Sequence, residues 1–296
     1  MPMLRAVVLV CALTLAGCAA QPLSSSHPRH GELRIVSWNM EHLAERDGTG
    51  CRPRSQADYE AMRAFAETLD ADVVAFQEVE SIAAAQRVFP PARYDIVIEA
   101  RTGVRSGPCR GKEGLFIGPQ RTGFAIRKGQ QLKRHPDFTA LQVGDGDLRS
   151  GVDITLWPRS GRPIRLLSVH MKSGCSSGSS NEACPVFFGQ LPVLEGWIDA
   201  RAAEAVRFAV VGDFNRRFVK TDDVAWLELD DSLPANADLT LASGNRSAAC
   251  DPRYSDFIDY VVLDKRAAGD LRGFDEVRYP GERLSDHCPV LAVLEK

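Results

Sequence analysis

The stretch Phe208-Ala209-Val210-Val211-Gly212-Asp213-Phe214-Asn215 runs four apolar residues into a glycine and then sets a carboxylate and a carboxamide two positions apart. A short apolar run that ends this way reads as a buried strand, with its last residues emerging at a sheet edge. The same punctuation recurs along the chain. Asn39 follows Ile35-Val36-Ser37-Trp38, Glu78 follows Val74-Ala75-Phe76-Gln77, and His170 follows Leu166-Leu167-Ser168-Val169. Asp259 interrupts an apolar strand over 257–263, and Asp286-His287 precedes another over 289–294. Taken singly, each polar residue has a plainer explanation, since Asn or Asp after a strand is usually a turn residue. Six such coincidences are less credible than one shared site, mounted rigidly where strands reach the rim of their sheets.

The remaining pattern is strand-rich. Further strands are expected over 33–38, 72–77, 94–100, 123–127, 152–157 and 164–170. Ser55 is an N-cap for a helix through Leu69, with Tyr59, Met62, Phe65, Ala66 and Leu69 on one face, and a second helix is read over 191–206. No Pro/Gly/Ser linker interrupts the chain after Gly31, so residues 32–296 form a single α/β domain with no internal repeat.

Hydrophobic residues at 44% and charged residues at 25% describe a globular protein, and a net charge of −3 excludes a uniformly basic protein that coats nucleic acid. Residues 101–134 nevertheless hold nine basic side chains against Glu113, a local +8. That segment reads either as a solvated loop or as a patch that steers phosphates. At the N-terminus Arg5 precedes an apolar run over 6–16, too short for a membrane span of roughly 20 residues. The run ends in Leu15-Ala16-Gly17-Cys18, which resembles a bacterial lipobox and implies cleavage before Cys18 and its lipidation. The expected organisation is a signal peptide over 1–17, a tether over 18–31 and a catalytic domain over 32–296. The expected address is an exported lipoprotein on the outer membrane, facing the periplasm. Loss of Arg5 takes the mature chain from −3 to −4. Eight cysteines without a CxxC pair argue for an oxidising compartment and against zinc.

Trp38-Asn39, Gln77-Glu78, Ser168-Val169-His170, Gly212-Asp213-Phe214-Asn215, Ile258-Asp259-Tyr260 and Ser285-Asp286-His287 resemble, in this order, the motifs of the endonuclease/exonuclease/phosphatase family. The resemblance extends over 33–294. It implies the DNase I-like fold, a four-layer α/β sandwich of two face-to-face β-sheets flanked by helices. It also implies a metal-dependent phosphodiesterase, most simply a nuclease acting on DNA or RNA. The alternatives are a sphingomyelinase-like head-group hydrolase, a phosphatase of small phosphate esters, and a binding module without turnover.

In the site that this resemblance implies, Glu78 binds Mg²⁺ or Mn²⁺ with Asp286 and Asn39 nearby, a donor set suited to a hard cation. Asp259 orients His287, which acts as general base or binds the phosphate, and Asp213 orients water or the second partner. Asn39 and Asn215 donate to phosphoryl oxygens. His170 acts on the leaving group or the phosphate, where abasic-site enzymes carry a Tyr. His42, His135, His27 and His30 match no motif and are assigned to the surface or the tether. Leu115-Phe116-Ile117 is the one candidate for a membrane-probing loop, although a short buried strand explains it better. Cys175 and Cys184 are expected to staple the Gly/Ser-rich loop after His170, and Cys51 with Cys109 is the next pair. Cys288 is left with Cys250 or with no partner. The protein is expected to be a monomer.

Overall fold

In the computed structural model, the described residues are 31–296 except 103–106, 145, 160, 219–222 and 232. The expected signal peptide, Cys18, His27, His30 and all of the expected tether but Gly31 lie outside them. The first strand, β1 (Glu32–Leu43), is followed by α1 (Gln56–Thr68), β2 (Val73–Val79), α2 (Ile82–Val88), β3 (Tyr94–Ile98), β4 (Arg121–Arg127) and β5 (Gln131–Arg134). Next come β6 (Val152–Trp157), β7 (Ile164–His170), α3 (Cys184–Ala203), β8 (Phe208–Asp213), α4 (Val224–Leu229) and β9 (Leu239–Leu241). The chain ends with β10 (Asp259–Asp264), α5 (Lys265–Gly269), β11 (Leu271–Glu276) and β12 (Val290–Glu295). Two mixed six-stranded sheets result, in the orders β11-β12-β1-β2-β4-β3 and β5-β6-β7-β8-β10-β9.

Strand alternation builds the layers. Leu33, Ile35, Val73 and Ala75 point toward the second sheet and share a core with Val152, Val169 and Val210. Their neighbours Val36, Trp38, Val74 and Phe76 point the other way, onto Tyr59, Met62, Phe65 and Ala66 of α1. Both faces of the strands are therefore buried, which requires helices outside the sheets. α1 and α2 cover the first sheet and α3 and α4 the second, which gives the four-layer sandwich.

α1 begins where the sequence places it. Ser55 Oγ accepts from Asp58 N, and Asp58 Oδ2 accepts from Ser55 N at 2.7 Å, a reciprocal capping box. α3 differs from expectation by starting at Cys184 instead of Leu191. Pro185 and Pro192 look like helix breakers, but Pro185 lies in the first turn, where its missing N–H costs nothing.

Gly212 lets β8 approach β7. A Cβ at this position would lie 2.0 Å from the Val169 carbonyl oxygen, and its φ of +157° is unfavourable for any side chain. Because the obstacle is backbone, nothing can yield without moving the strand that ends in Asp213. Gly212→Ala is expected to cost about 4 kcal/mol or more, read as a large fall in melting temperature or loss of soluble protein. Near-wild-type melting would contradict this account of the strand contact.

All six cysteines among the described residues are paired, as Cys51–Cys109, Cys175–Cys184 and Cys250–Cys288. The last pair decides the question left open for Cys288. The described part of the basic segment is a loop as far as Gln120 and then runs through β4 and β5, and part of its charge is spent within the fold. Arg101 pairs with buried Glu99 at 3.3 Å, Arg127 with Asp70 at 2.9 Å and Arg134 with Asp137 at 2.8 Å. Lys112 and Arg121 bond the carbonyls of Cys51 and Glu80. Leu115-Phe116-Ile117 is not a buried strand either. It makes one isolated bridge, Pro108 to Phe116, and leaves the Phe116 ring 60% exposed.

Candidate active site

Strand direction gathers the polar residues at one edge of each sheet. β7 and β8 are parallel, with His170 opposite Asp213, and antiparallel β10 begins with Asp259 opposite Asp213. In the other sheet β1 and β2 are parallel, with Asn39 opposite Gln77, and antiparallel β12 begins just after His287. The side chains of both edges meet. Asn39 Nδ2 donates to Asp213 Oδ2 at 3.0 Å and lies 3.5 Å from Glu78 Oε1, which joins the first sheet to the second.

Local irregularity aims these groups. The β1–β2 register shifts after Asn39, and the β2–β4 register shifts between Phe76 and Val79. Bulges of this kind redirect side chains next to functional sites. Glu41, His42, Glu78 and Asn215 all have positive φ, four of the six non-glycine residues that do so among the described residues. Such backbones cost about 1–3 kcal/mol each and persist only where the surroundings enforce them. Here the enforcement is visible. Asn39 Oδ1 accepts from Glu41 N at 3.0 Å, Glu78 Oε2 from His42 N at 3.0 Å, and Asp213 Oδ1 from Asn215 N at 2.8 Å.

His287 Nδ1 lies 2.6 Å from Asp259 Oδ2, and its Nε2 is 4.0 Å from Asp213 Oδ2 and 3.9 Å from Asp286 Oδ1. Ser285 fixes this loop, its Oγ donating to the Asn39 carbonyl at 2.7 Å and accepting from His287 N at 3.1 Å. Burial alone would lower the His287 pKa, but Asp259, Asp213 and Asp286 outweigh it and hold the imidazole protonated well above its ordinary range. Burial and the neighbouring Asp259 charge push the Asp213 carboxyl up to about 7. The Asp213 carboxyl therefore exchanges its proton near neutrality beside a cation.

Glu78 behaves in the opposite way. Burial would raise its pKa, yet electrostatic interactions with His42, Arg149 and His287 hold it below the ordinary carboxylate value, so it is anionic. His170 is buried, with Nε2 3.5 Å from Asp213 Oδ2 and 3.9 Å from Glu78 Oε1. Burial, reinforced by Arg149, His287 and His42, keeps it neutral. Two carboxylates facing Nε2 favour the proton there, and buried Nδ1 has no hydrogen-bond partner among the described residues.

An ionised, buried carboxylate suits a hard divalent cation, and the nearest donors to Glu78 Oε1 are 3.5 Å or more away. Asp286 is exposed beside His287, and Asn39 adjoins Glu78. Asp213, Asp259 and His287 also bring ligand atoms within 4.8 Å of one another. That trio is already knitted by the Asp259–His287 pair, and a metal there would have to displace a protonated imidazole.

Every expected site residue of the domain lies at this edge, but the surface assignment of His42 is wrong. Its ring Nε2 is 3.6 Å from Glu78 Oε2, and its Nδ1 is 3.4 Å from Gln120 Nε2. Gln120 in turn accepts from Arg149 Nη2 at 2.9 Å. Proximity to Asn39 was the only signal for His42, whereas Arg149 comes from an aperiodic loop that offers none. His135 directly follows β5, half-buried, with its ring Nε2 2.8 Å from Thr155 Oγ1 of β6, and takes no part. Arg149→Ala is expected to cost about tenfold or more in turnover and to move the acid limb of the pH profile upward. Arg149 interacts with Asp213 as well as Glu78, so its removal raises the Asp213 carboxyl that sets this limb, and Arg149→Lys should restore part of the loss. An unmoved acid limb would make Arg149 a packing residue only.

A family model described as the Endonuclease/Exonuclease/phosphatase family matches residues 36–287. No curated protein matches the sequence. Among solved structures, the human Nocturnin catalytic domain with bound sulfate anion superposes at a TM-score of 0.60 and 17% identity, over 88% of this chain and 93% of that one. TDP2 from Caenorhabditis elegans does so at 0.59 and 16%, over 90% and 74%. The AP endonuclease LMAP from Leishmania major does so at 0.59 and 16%, over 92% and 90%. At these identities the likeness is one of fold.

Proposed function

Because the chain belongs to the endonuclease/exonuclease/phosphatase family, whose members hydrolyse phosphate esters, we propose that it is a metal-dependent phosphodiesterase of the nuclease type. One observation carries this reading. An anionic Glu78 and a protonated His287 lie on either side of a carboxyl, Asp213, whose pKa is about 7. Phosphodiester hydrolysis needs these three properties, namely a metal ligand, a cation for phosphoryl oxygens and a base for water near neutral pH.

Glu78, with Asp286 and Asn39, would hold Mg²⁺ or Mn²⁺, which supplies Lewis-acid neutralisation of the phosphoryl charge. Deprotonated Asp213 takes a proton from the attacking water as the new P–O bond forms and the ester P–O bond breaks, the leaving oxygen departing with the bonding pair and taking its proton from solvent water. His287, held by Asp259, grips a phosphoryl oxygen as a cation, so at neutral pH it binds phosphate instead of serving as the base. Asn39 and Asn215 donate further hydrogen bonds. Neutral His170 donates through Nε2 and is not a proton source at this pH.

The N-terminal reading is also part of the proposal. An enzyme tethered by lipidated Cys18 on the periplasmic face, and monomeric, is in keeping with three disulfides in the domain. The direct test is hydrolysis of bis-p-nitrophenyl phosphate, plasmid DNA and sphingomyelin with Mg²⁺ or Mn²⁺, using Glu78→Ala and His287→Ala as controls. Turnover of the diester and DNA that both variants lose is expected. Equal signals from wild type and variants would leave a binding module, and turnover of sphingomyelin alone would make the enzyme a head-group hydrolase.

A further inference from the structure

On the strength of that phosphodiesterase reading, we propose that the substrate is a single-stranded nucleic acid. The nucleotides flanking the scissile phosphate would lie in two grooves, one built on Phe116 and Arg46, the other on Tyr254 and Arg217. Both grooves touch the site. His42, whose amide holds Glu78, lines the first, of about 460 Å³. Asn215, Asp259 and His287 line the second, of about 380 Å³.

The two grooves share the same three ingredients. Each has an exposed aromatic ring, Phe116 at 60% and Tyr254 at 49%. Each also has a guanidinium, Arg46 or Arg217, with no carboxylate partner among the described residues. Arg217 lies 5.3 Å from the centre of the Tyr254 ring. Finally, each loop is pinned by a disulfide. Cys51–Cys109 ties the Phe116 loop to the segment after Arg46, and Cys250–Cys288 ties the Tyr254 loop to the residue after His287.

A ring and a free guanidinium are what one nucleotide unit can use, the ring for the base and the cation for its phosphate. The match is not a general property of the surface. Trp157, the other large exposed aromatic among the described residues, lines neither groove. A base can lie flat on a ring only when it is unpaired, which favours a single strand over a duplex. A lipid surface would instead call for one contiguous apolar projection, whereas here the exposed rings sit in separate grooves, each beside a guanidinium.

The test compares cleavage and binding by the purified protein. For cleavage, kcat/KM is measured on an oligothymidylate and on bis-p-nitrophenyl phosphate, and their ratio is taken for Phe116→Ala and Tyr254→Ala. The expected result is a fall in that ratio of about 5- to 100-fold in each variant, with Trp157→Ala within about twofold of wild type. Binding of the labelled oligothymidylate to His287→Ala protein, read by fluorescence anisotropy, should weaken similarly when Phe116→Ala or Tyr254→Ala is added. Arg46→Ala or Arg217→Ala should each reduce the slope of log affinity against log salt by about 0.7. Unchanged ratios and anisotropy, or equal affinity for duplex, would overturn the proposal while diester hydrolysis could still stand. Binding to sphingomyelin vesicles that depends on Phe116, with no oligothymidylate binding, would transfer the grooves to a lipid. Loss of all hydrolysis with oligothymidylate binding intact would instead refute the phosphodiesterase reading alone.

Discussion

His287→Gln is expected to lower diester turnover by about three orders of magnitude, within the range for loss of a positioned acid, base or cation. Glutamine retains a donor and an approximate shape but cannot carry charge, so the loss isolates the charge of the imidazolium. The pH profile adds a sharper check. Activity needs Asp213 as the anion, and its carboxyl is pushed up to about 7, so rates rise as pH passes through neutrality. Activity also needs His287 as the cation, and its pKa is raised, so rates fall only well above the ordinary histidine range. The two groups are 4.0 Å apart, so the limbs belong to the pair. Asp259→Asn removes the leading cause of the raised value and should bring the alkaline limb down in pH. A limb that stays in place in kcat/KM measured on bis-p-nitrophenyl phosphate would mean that His287 does not act as the cation.

The parts of the site legible in the sequence were those carried by strand ends. Asn39, Glu78, His170 and Asp213 terminate or closely follow apolar runs, and a run of period two locates its own end to within a residue or two. Parallel pairing of β1 with β2 and of β7 with β8 then brings those ends to one edge. What escaped has a physical reason in each case. Arg149 lies in a loop, and its side chain reaches the site only because Gln120 receives it at 2.9 Å, a tertiary contact with no local pattern. β5, β9 and α4 are short, with three to six residues each, too few for periodicity to register. The +8 overstates the local charge of the basic segment because charge was counted along the chain, while Glu99, Asp70, Asp95 and Asp137, which offset half of it, lie outside that window. That pairing halves the apparent charge of the segment, while Arg46 and Arg217 are the groove arginines with no carboxylate partner among the described residues.

Glu78→Gln is expected to be the more damaging change, with turnover falling by about three orders of magnitude or more, because it removes the group best suited to hold the metal. Chelation of divalent ions should abolish wild-type activity to the same extent, and Mg²⁺ or Mn²⁺ should restore it. Activity alone would not distinguish metal loss from a damaged fold, so stability provides the second measurement. Glu78 is a largely buried anion on a strained backbone, with φ of 60°, and its lowered pKa means that the neighbouring positive charges outweigh its desolvation, so neutralising it loses a net favourable interaction without leaving a cavity. The melting temperature of Glu78→Gln without metal should therefore fall modestly below that of wild type, with a cooperative transition retained. Added Mg²⁺ should raise the wild-type melting temperature with concentration, since an ion that binds only the folded state stabilises it by RT ln(1 + [L]/Kd), and should leave Glu78→Gln unmoved. If Mg²⁺ stabilised both proteins equally, the ion would be held elsewhere, with Asp213, Asp259 and His287 the next candidates. The cation role given to His287 would then have to be withdrawn, because a metal-bound imidazole cannot also carry the proton.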